Sequence, residues 1–216
     1  MLPMRYHSLL FCLLFFSFAQ VLSAQSPALT RLGMEVTQEN APRGLTVGTK
    51  APNFSGLDQY GQAVDLATLT QKSGVVLLFY RGDWCPVCNR HLRQLQDSLQ
   101  LITDTGVQVI AVTPETNNNV RQTIQKTDAR FRILSDQDMS IMSAYDVLFK
   151  ATQEYQQRIE HGLGTNIAEN NGADEAYLPV PATYIIGQDG FITYRHFDPN
   201  YKVRASVREI LKRIEN

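Results

Sequence analysis

The chain has 216 residues, 44% of them hydrophobic, and a formal net charge of −1 at pH 7. This near-neutral charge gives no electrostatic indication of binding to nucleic acid or to an anionic membrane surface. No repeat or low-complexity block divides the chain. Its length therefore predicts one domain with a sizeable core.

The first 24 residues have the pattern of a secretory signal peptide. Arg5 precedes an apolar stretch from Leu9 to Phe16, and the segment ends with Val-Leu-Ser-Ala at residues 21–24. The apolar core is shorter than the roughly 20 residues needed to span a bilayer. We therefore predict export to the periplasm or another extracytoplasmic space, with cleavage after residue 24. An uncleaved N-terminal anchor is the alternative, and no membrane span is predicted in the mature chain.

The next segments lead to a buried strand. Residues 25–45 are polar and predict a leader with a short helix or extended structure, ahead of a single domain at 46–216. Residues 51–58 and 62–66 flank a turn containing Gly61, which predicts a small hairpin. Val75 to Tyr80 is an unbroken β-branched and aromatic run, typical of a strand buried on both faces.

Two cysteines follow this strand directly. Pro86 suits the first position of a helix, so Cys85 is the predicted N-cap and Cys88 lies in the first turn of a helix that runs to about Leu101. Unpaired N–H groups and the helix dipole stabilise a thiolate at such a position, where the pKa of a free cysteine falls from about 8.5 toward roughly 3.5 to 7.5. The spacing therefore predicts a redox site.

This spacing supplies both steps of thiol–disulfide exchange. Cys85 would attack a partner, and Cys88, one helical turn away, would displace the partner and leave a Cys85–Cys88 disulfide. A zinc site would need four ligands, and only His91 stands nearby, so we predict no metal. A purely structural disulfide is the other alternative, although closing so short a loop restrains little of the unfolded chain. Cleavage of the signal would remove Cys12, the third cysteine.

Downstream, strand and helix patterns alternate as in an α/β protein. The predicted elements are a strand at Val107–Val112, a helix through Gln125, a strand at Phe131–Leu134, a helix from about Met139 to Phe149, paired strands at 182–187 and 191–196, and a C-terminal helix at Val203–Ile214. The segment at 150–177 is polar and rich in Gly and Asn, and it predicts an insertion without a long helix. This insertion is either a lid or partner-docking element over the site or a simple surface insertion.

The order of a strand, a Trp-Cys-x-x-Cys helix and a late proline before a hairpin resembles the thioredoxin fold. The run from Phe79 to Arg90, FYRGDWCPVCNR, is similar to the peroxiredoxin-like branch of the AhpC/TSA family. Together the resemblances cover roughly Thr46 to Glu215 and imply a central mixed sheet flanked by helices. They also imply that Pro181 is a cis-proline facing the cysteines, with Val180 as a platform for an extended substrate.

The motif departs from both families. Peroxiredoxins place their peroxidatic cysteine at the position of Cys88, but they carry Pro, Thr or Ser, and Arg where this chain has Arg81, Cys85 and Pro181. Arg81 could still supply a guanidinium near that thiolate. Thioredoxin has a buried acid where this chain has Phe79. The thioredoxin-type elements, including Trp84, are otherwise present.

We therefore predict dithiol–disulfide chemistry, with a redox-active Cys85–Cys88 disulfide, Cys85 as nucleophile and Cys88 as resolving thiol. The alternative is a thiol-dependent peroxidase with Cys88 oxidised by a hydroperoxide and Cys85 resolving. A redox-inert binding module is the third possibility. Trp84 limits access to the sulfurs or packs in the core. Arg81 tunes the thiolate or is a solvated surface charge, as is Arg90, and His91 is expected on the helix surface.

No nucleotide-binding loop or dinucleotide-binding glycine pattern is present. We therefore predict no cofactor and a thiol or disulfide protein as the electron donor or acceptor.

Overall fold

In the computed structural model, the described residues are 27–37 and 39–215. The strands are β1 Ser55–Leu57, β2 Ala63–Asp65, β3 Gly74–Phe79, β4 Val107–Thr113, β5 Arg132–Ser135, β6 Leu148–Lys150, β7 Tyr177–Pro179, β8 Ala182–Ile186 and β9 Ile192–Phe197. The helices are α1 Pro27–Arg31, α2 Leu66–Thr70, α3 Pro86–Asp97, α4 Leu99–Thr103, α5 Asn117–Thr127, α6 Ser140–Ala144, α7 Gln153–Leu163, α8 Ile167–Asn171 and α9 Val207–Ile214.

A five-stranded sheet in the order β5-β4-β3-β8-β9 forms the centre of the molecule. β3 pairs in parallel with β4 and antiparallel with β8, so that Leu77 faces Ile110 on one side and Tyr184 on the other. The predicted mixed sheet is therefore confirmed. The predicted hairpin is also present, because β1 pairs antiparallel with β2 outside the main sheet.

The central strand β3 divides the core into two apolar clusters. Its residues Val76 and Leu78 pack with Leu92 and Leu95 of α3 and with Ile210 of α9. The intervening β3 residues join a second cluster with residues of α2 and α6. Alternate side chains point to opposite sheet faces, so a continuous apolar strand becomes buried on both sides, as predicted. The strand is fixed in place just before the cysteines.

The helix predicted at Met139–Phe149 is wrong in its second half. α6 ends at Ala144, and the chain then turns into β6 at Leu148. Asp146 has a left-handed backbone (φ 52°), which ends a helix rather than continuing it. Its carboxylate accepts a hydrogen bond from the N–H of Arg43, 103 residues earlier in the sequence. A tertiary contact therefore supports the turn.

Two other helices differ from their predicted bounds. The helix after the cysteines ends at Asp97, and a separate short helix begins at Leu99. The C-terminal helix begins at Val207 rather than Val203, because the Ser206 side chain accepts a hydrogen bond from the N–H of Glu209 and caps the helix there. The four residues before it remain an irregular segment that lies beside the cysteines.

The insertion at 150–177 contains more helix than predicted. α7 and α8 lie within it, and each ends at a glycine with φ +64°, Gly164 and Gly172. Glycine adopts this left-handed conformation without the strain of a side chain. The sequence predicted that glycines prevent a long helix in this segment. In the structure, these two glycines mark the ends of α7 and α8.

The predicted signal peptide at 1–24 lies outside the described residues. The described part of the predicted leader contains α1. None of the helices in the described ranges combines the length and apolar character needed to cross a bilayer.

The Tyr155 ring of α7 lies close to the backbone of Gly33 in the leader, and this contact fixes the position of α7. Gly33 has φ +90°, and a Cβ there would overlap the Tyr155 ring. Gly33→Ala is expected to lower the free energy of unfolding by about 2 to 4 kcal/mol, from backbone strain plus overpacking. Gly48→Ala is the matched control, with φ +85° and open space around its Cβ. It should cost about 1 to 2 kcal/mol. If denaturant unfolding gave equal losses of unfolding free energy for Gly33→Ala and Gly48→Ala, the proposed packing of Tyr155 would be contradicted.

Candidate active site

Cys85 and Cys88 form a disulfide at the start of α3, with Cα atoms 5.2 Å apart. Cys85 is the N-cap of the helix, as predicted, and Pro86 is its first residue. The Cys85 Sγ accepts a hydrogen bond from the backbone N–H of Cys88 at 3.2 Å. Both cysteines are fully buried. The helix N-terminus therefore points one of its unpaired N–H donors at the first sulfur, which stabilises a thiolate there after reduction.

Arg81 places a guanidinium group against Cys85. Its side chain is buried, and Nη2 donates to the Cys85 Sγ at 3.2 Å. The other terminal nitrogen donates to the hydroxyl of Tyr155, and the guanidinium stacks 3.6 Å from the ring centre of Tyr201. The interpretation of Arg81 as a solvated surface charge is therefore wrong. Its contact with the sulfur places it where it can act on a thiolate, and the tuning itself stays a prediction. Arg81 lies at Cys85, however, and not at Cys88, the thiolate considered for it.

A second guanidinium, which no sequence motif had indicated, lies at Cys88. Nη2 of Arg204 donates to the Cys88 Sγ at 3.4 Å, and its Nε donates to the carbonyl of Tyr201 at 2.7 Å. Arg204 is partly buried and belongs to the irregular segment before α9. Each sulfur of the disulfide is therefore in contact with one arginine.

Neither arginine has a carboxylate partner within the described residues. The ion pairs there involve Lys126, Arg132 and Lys150. Burial lowers the pKa of Arg81, while burial and repulsion from Arg81 lower the pKa of Arg204 to about 9. An arginine side chain keeps its charge in proteins, and a disulfide offers these two groups no negative charge. A thiolate on either sulfur would supply the missing counter-charge, which favours the reduced site.

Trp84 is buried, with an exposed fraction of 6%, and belongs to the apolar cluster that contains both cysteines. Its indole N–H has no hydrogen-bond partner in the described part of the chain. Gly82 is needed beside it, because a Cβ there would overlap the Trp84 Nε1 and a carboxylate oxygen of Glu115. Trp84 therefore belongs to the core, as one interpretation held, and its limiting of access to the sulfurs stays a prediction.

Glu115 is a buried acid that the sequence reading did not identify. Its carboxylate accepts a hydrogen bond from the N–H of Asp83 at 2.8 Å. Burial and repulsion from Asp83 raise the pKa of Glu115 well above its usual range. Glu115 follows β4, whereas the acid position considered from the thioredoxin resemblance was Phe79 on β3. The turn that leads into Cys85 is therefore anchored by this acid.

The prediction of a cis peptide before Pro181 is wrong. The described residues contain no cis peptide bond. The backbone N–H of Val180 donates to the carbonyl of Val147 at 2.7 Å, so the chain runs extended from β7 into β8. Val180 and Pro181 are both buried, and Val180 belongs to the same apolar cluster as the cysteines. The Val180 N–H is therefore occupied and cannot pair with an extended substrate.

His91 is buried, with an exposed fraction of 5%, so its predicted place on the helix surface is wrong. Its Nε2 lies 3.0 Å from the Ala205 carbonyl oxygen, and the neutral ring donates a hydrogen bond there. This bond ties α3 to the segment that carries Arg204. Arg90, by contrast, is exposed, as the surface interpretation held. No cluster of three or more His, Cys, Asp or Glu side chains arranged to hold a metal occurs in the described ranges.

The residues that sequence reasoning missed come from distant parts of the chain. Tyr155 is 74 residues from Arg81, and Arg204 is 116 residues from Cys88. No spacing or motif links such pairs in a single sequence. The local elements, Cys85 as N-cap and Pro86 as first helical residue, were accessible because one turn of chain determines them.

Burial and the positive charge of Arg204 lower the pKa of His91 to about 4. Its contribution to stability is full above pH 6.5, the ordinary pKa, and is lost as the pH falls toward 4. Between pH 6.5 and pH 4 the free energy of unfolding of the wild type should fall by about 3 kcal/mol more than that of the His91→Gln variant. His161→Gln, which replaces an exposed histidine, is the control and should follow the wild type. Parallel curves for wild type and His91→Gln would contradict the assignment.

Comparison with known proteins places this geometry in a family. Residues 47–195 match the profile of the AhpC/TSA family. The chain is similar to the thiol-disulfide oxidoreductase ResA of Bacillus cereus, at 30% identity over 104 residues, 48% of this chain and 59% of that protein. It is also similar to the putative peroxiredoxin bcp of Haemophilus influenzae, at 30% identity over 103 residues, 48% of this chain and 66% of that protein. The matched segments thus span less than two thirds of either relative.

Solved structures confirm the predicted thioredoxin-like fold. Peroxidoxin BcpB from Mycobacterium tuberculosis superimposes with a TM-score of 0.57 at 16% identity, covering 81% of this chain and 97% of that one. A reduced 2-Cys peroxiredoxin from Plasmodium vivax gives a TM-score of 0.59 at 20% identity, covering 79% and 95%. The fold is shared at these identities, and the family follows from the profile, which covers more than half of the chain. The chain is a member of the AhpC/TSA family, whose relatives here are redox enzymes.

Proposed function

We propose that this protein is a thiol–disulfide oxidoreductase that cycles between a Cys85–Cys88 disulfide and the dithiol. The observation that carries the proposal is the set of donors at the first sulfur: the Cys88 N–H and the Arg81 guanidinium both point at the Cys85 Sγ, each at 3.2 Å. These donors favour a thiolate, the form that attacks a disulfide. Cys85 is therefore the nucleophile of the cycle.

Cys88 is the resolving thiol in this proposal. When the Cys85 thiolate attacks a partner disulfide, one partner sulfur joins Cys85 and the other leaves as a thiolate. The Cys88 thiolate, stabilised by Arg204, then attacks the Cys85 sulfur, which restores the disulfide and releases the second partner thiolate. The partner gains two electrons and the protein dithiol loses two. The partner is a thiol or disulfide protein.

The proposal includes export, so that the protein works outside the cytoplasm, where disulfides persist. It is supported by the signal-like pattern of Arg5 and the apolar run at 9–16. An uncleaved anchor would place the same domain on the same side of the membrane.

Thiol-dependent peroxide reduction is the second candidate, and one observation favours it. The Arg204 guanidinium lies at the Cys88 Sγ, where it could stabilise the thiolate and the developing charge of a departing hydroxide. In this reaction the Cys88 thiolate attacks a peroxide oxygen and becomes a sulfenic acid. Cys85 then displaces hydroxide and forms the disulfide.

Cysteine variants distinguish the two reactions. Under exchange, Cys88→Ser should accumulate a stable mixed disulfide on Cys85 with a model disulfide substrate, because no second thiol releases it. Cys85→Ser should lose exchange by about 100-fold or more, since its attacking thiolate is gone. Intact-protein mass spectrometry and the rate of substrate reduction are the measurements. Full exchange activity in Cys85→Ser would refute the assignment of the nucleophile.

Peroxide provides the complementary measurement. The reduced protein is mixed with hydrogen peroxide, and oxidation is followed through Trp84, the single tryptophan of the chain. Exchange chemistry predicts a rate within about tenfold of that of a free small thiol at equal thiolate concentration. Oxidation orders of magnitude faster, retained in Cys85→Ser, would establish the peroxidase and make Cys88 the attacking residue.

Arg204 should control the reactivity of Cys88. In reduced protein carrying Cys85→Ser, Arg204→Gln is expected to slow alkylation of Cys88 by iodoacetamide at pH 7 about tenfold, because the thiolate loses its neighbouring positive charge. The pH profile of alkylation should move to higher pH. Arg208→Gln, an exposed arginine on α9, is the matched control. Identical profiles for Arg204→Gln and the control would show that Arg204 does not stabilise the thiolate.

A further inference from the structure

A cleft of about 510 Å³ lies between α7, the end of α1 and residues 200–202. Tyr155 and Tyr201 line it, and both contact Arg81, which in turn contacts the Cys85 Sγ. The sulfurs themselves have no exposed surface. Two side chains, a lining tyrosine and Arg81, therefore separate this cleft from the Cys85 Sγ. We call it the Tyr155 cleft.

The shape of the Tyr155 cleft suits a small ligand. Leu32, Ile159 and Leu163 contribute apolar walls. Ligand sites typically have volumes of about 300 to 1,000 Å³ and combine apolar walls with a few polar groups. A low-molecular-weight molecule can occupy such a concavity, whereas a folded protein partner cannot enter it.

The charge of the Tyr155 cleft has one sign. Its lining includes Arg31, Arg158 and Lys202, and no carboxylate. A second cleft of about 220 Å³, on the other side of Lys202, is lined by Arg90 and Arg204, again without a carboxylate. The whole chain has a net charge of −1, so this clustering of cations is local to the disulfide. A cleft of one charge sign concentrates ligands of the opposite sign.

We propose that the Tyr155 cleft binds a carboxylate-bearing, low-molecular-weight thiol that reduces the Cys85–Cys88 disulfide. The inference rests on the proposed function and assigns the electron donor of its reductive half. The carboxylates of the ligand pair with Arg158 and Lys202, while its apolar part packs on the walls. Its thiol reaches Cys85 when the Tyr155 and Tyr201 side chains move aside.

The reduction uses two molecules of this thiol. The thiolate of the first attacks the Cys85 Sγ, forms a mixed disulfide there and releases Cys88 as a thiolate held by Arg204. The thiolate of the second attacks the sulfur of the bound thiol, which forms a small-molecule disulfide and frees the Cys85 thiolate. Two thiolates thus lose one electron each, and the protein disulfide gains two.

The test compares three small thiols that differ in charge: 3-mercaptopropionate, 2-mercaptoethanol and cysteamine. Each reduces the oxidised full-length protein, and Trp84 fluorescence gives a rate that is divided by the thiolate concentration at the pH used. The anionic thiol is expected to react about tenfold faster than the neutral one, and the cationic thiol slowest. Raising the ionic strength should narrow the differences. Equal rates, or fastest reaction with cysteamine, would overturn the inference.

Variants that remove positive charge test whether the Tyr155 cleft causes the preference for the anionic thiol. Arg158→Gln combined with Lys202→Gln should bring the ratio of anionic to neutral rates close to one. Arg121→Gln combined with Arg130→Gln removes the same charge from exposed positions outside the cleft and should keep the wild-type ratio. A preserved ratio in the first double variant would place the selectivity elsewhere and refute the cleft. If none of the three thiols yields the dithiol, the inference fails as well, whereas the proposed function is refuted separately, by full exchange activity in Cys85→Ser.

Discussion

Two arginines that touch the two sulfurs of one disulfide are the central physical constraint of this site. Arg81 contacts Cys85 and Arg204 contacts Cys88, and neither has a carboxylate partner in the described part of the chain. A cation removed from water without a counter-ion is unfavourable, and a thiolate removes that cost. The site is therefore built so that its reduced form is electrostatically better than its oxidised form, and so that each sulfur has its own stabilising group.

The rest of the fold holds these two groups in place. β3 ends at Phe79, two residues before Arg81, and its position is fixed by pairing on both sides within the central sheet. The segment before α9 is tied to α3 by the bond between His91 and the Ala205 carbonyl, which sets Arg204 against Cys88. α7 of the insertion brings Tyr155 to the Arg81 guanidinium. The insertion thus contacts Arg81, and the C-terminal segment contacts Cys88.

The same arrangement would support either of the two proposed reactions, disulfide exchange or peroxide reduction. A helix N-terminus and a guanidinium stabilise a thiolate whatever it attacks. What differs is which sulfur meets the substrate first. The hydrogen bond from the Cys88 N–H and the contact with Arg81 favour Cys85, whereas Arg204 favours Cys88. The two reactions therefore differ in which cysteine attacks first, and both would use the same stabilising groups.

The sequence by itself determined the features that one turn or one strand of chain decides. The buried strand, the N-cap at Cys85 and the first helical position at Pro86 all follow from local residue patterns, as does the family resemblance of the motif. The tertiary structure alone decided which distant side chains meet the sulfurs. Arg204 reaches Cys88 across 116 residues, and the peptide before Pro181 is trans, with the Val180 N–H paired to the Val147 carbonyl. His91 is likewise buried, and its ring contacts the Ala205 carbonyl in the segment before α9. Such contacts depend on how elements far apart in sequence pack together, and no local spacing encodes that packing.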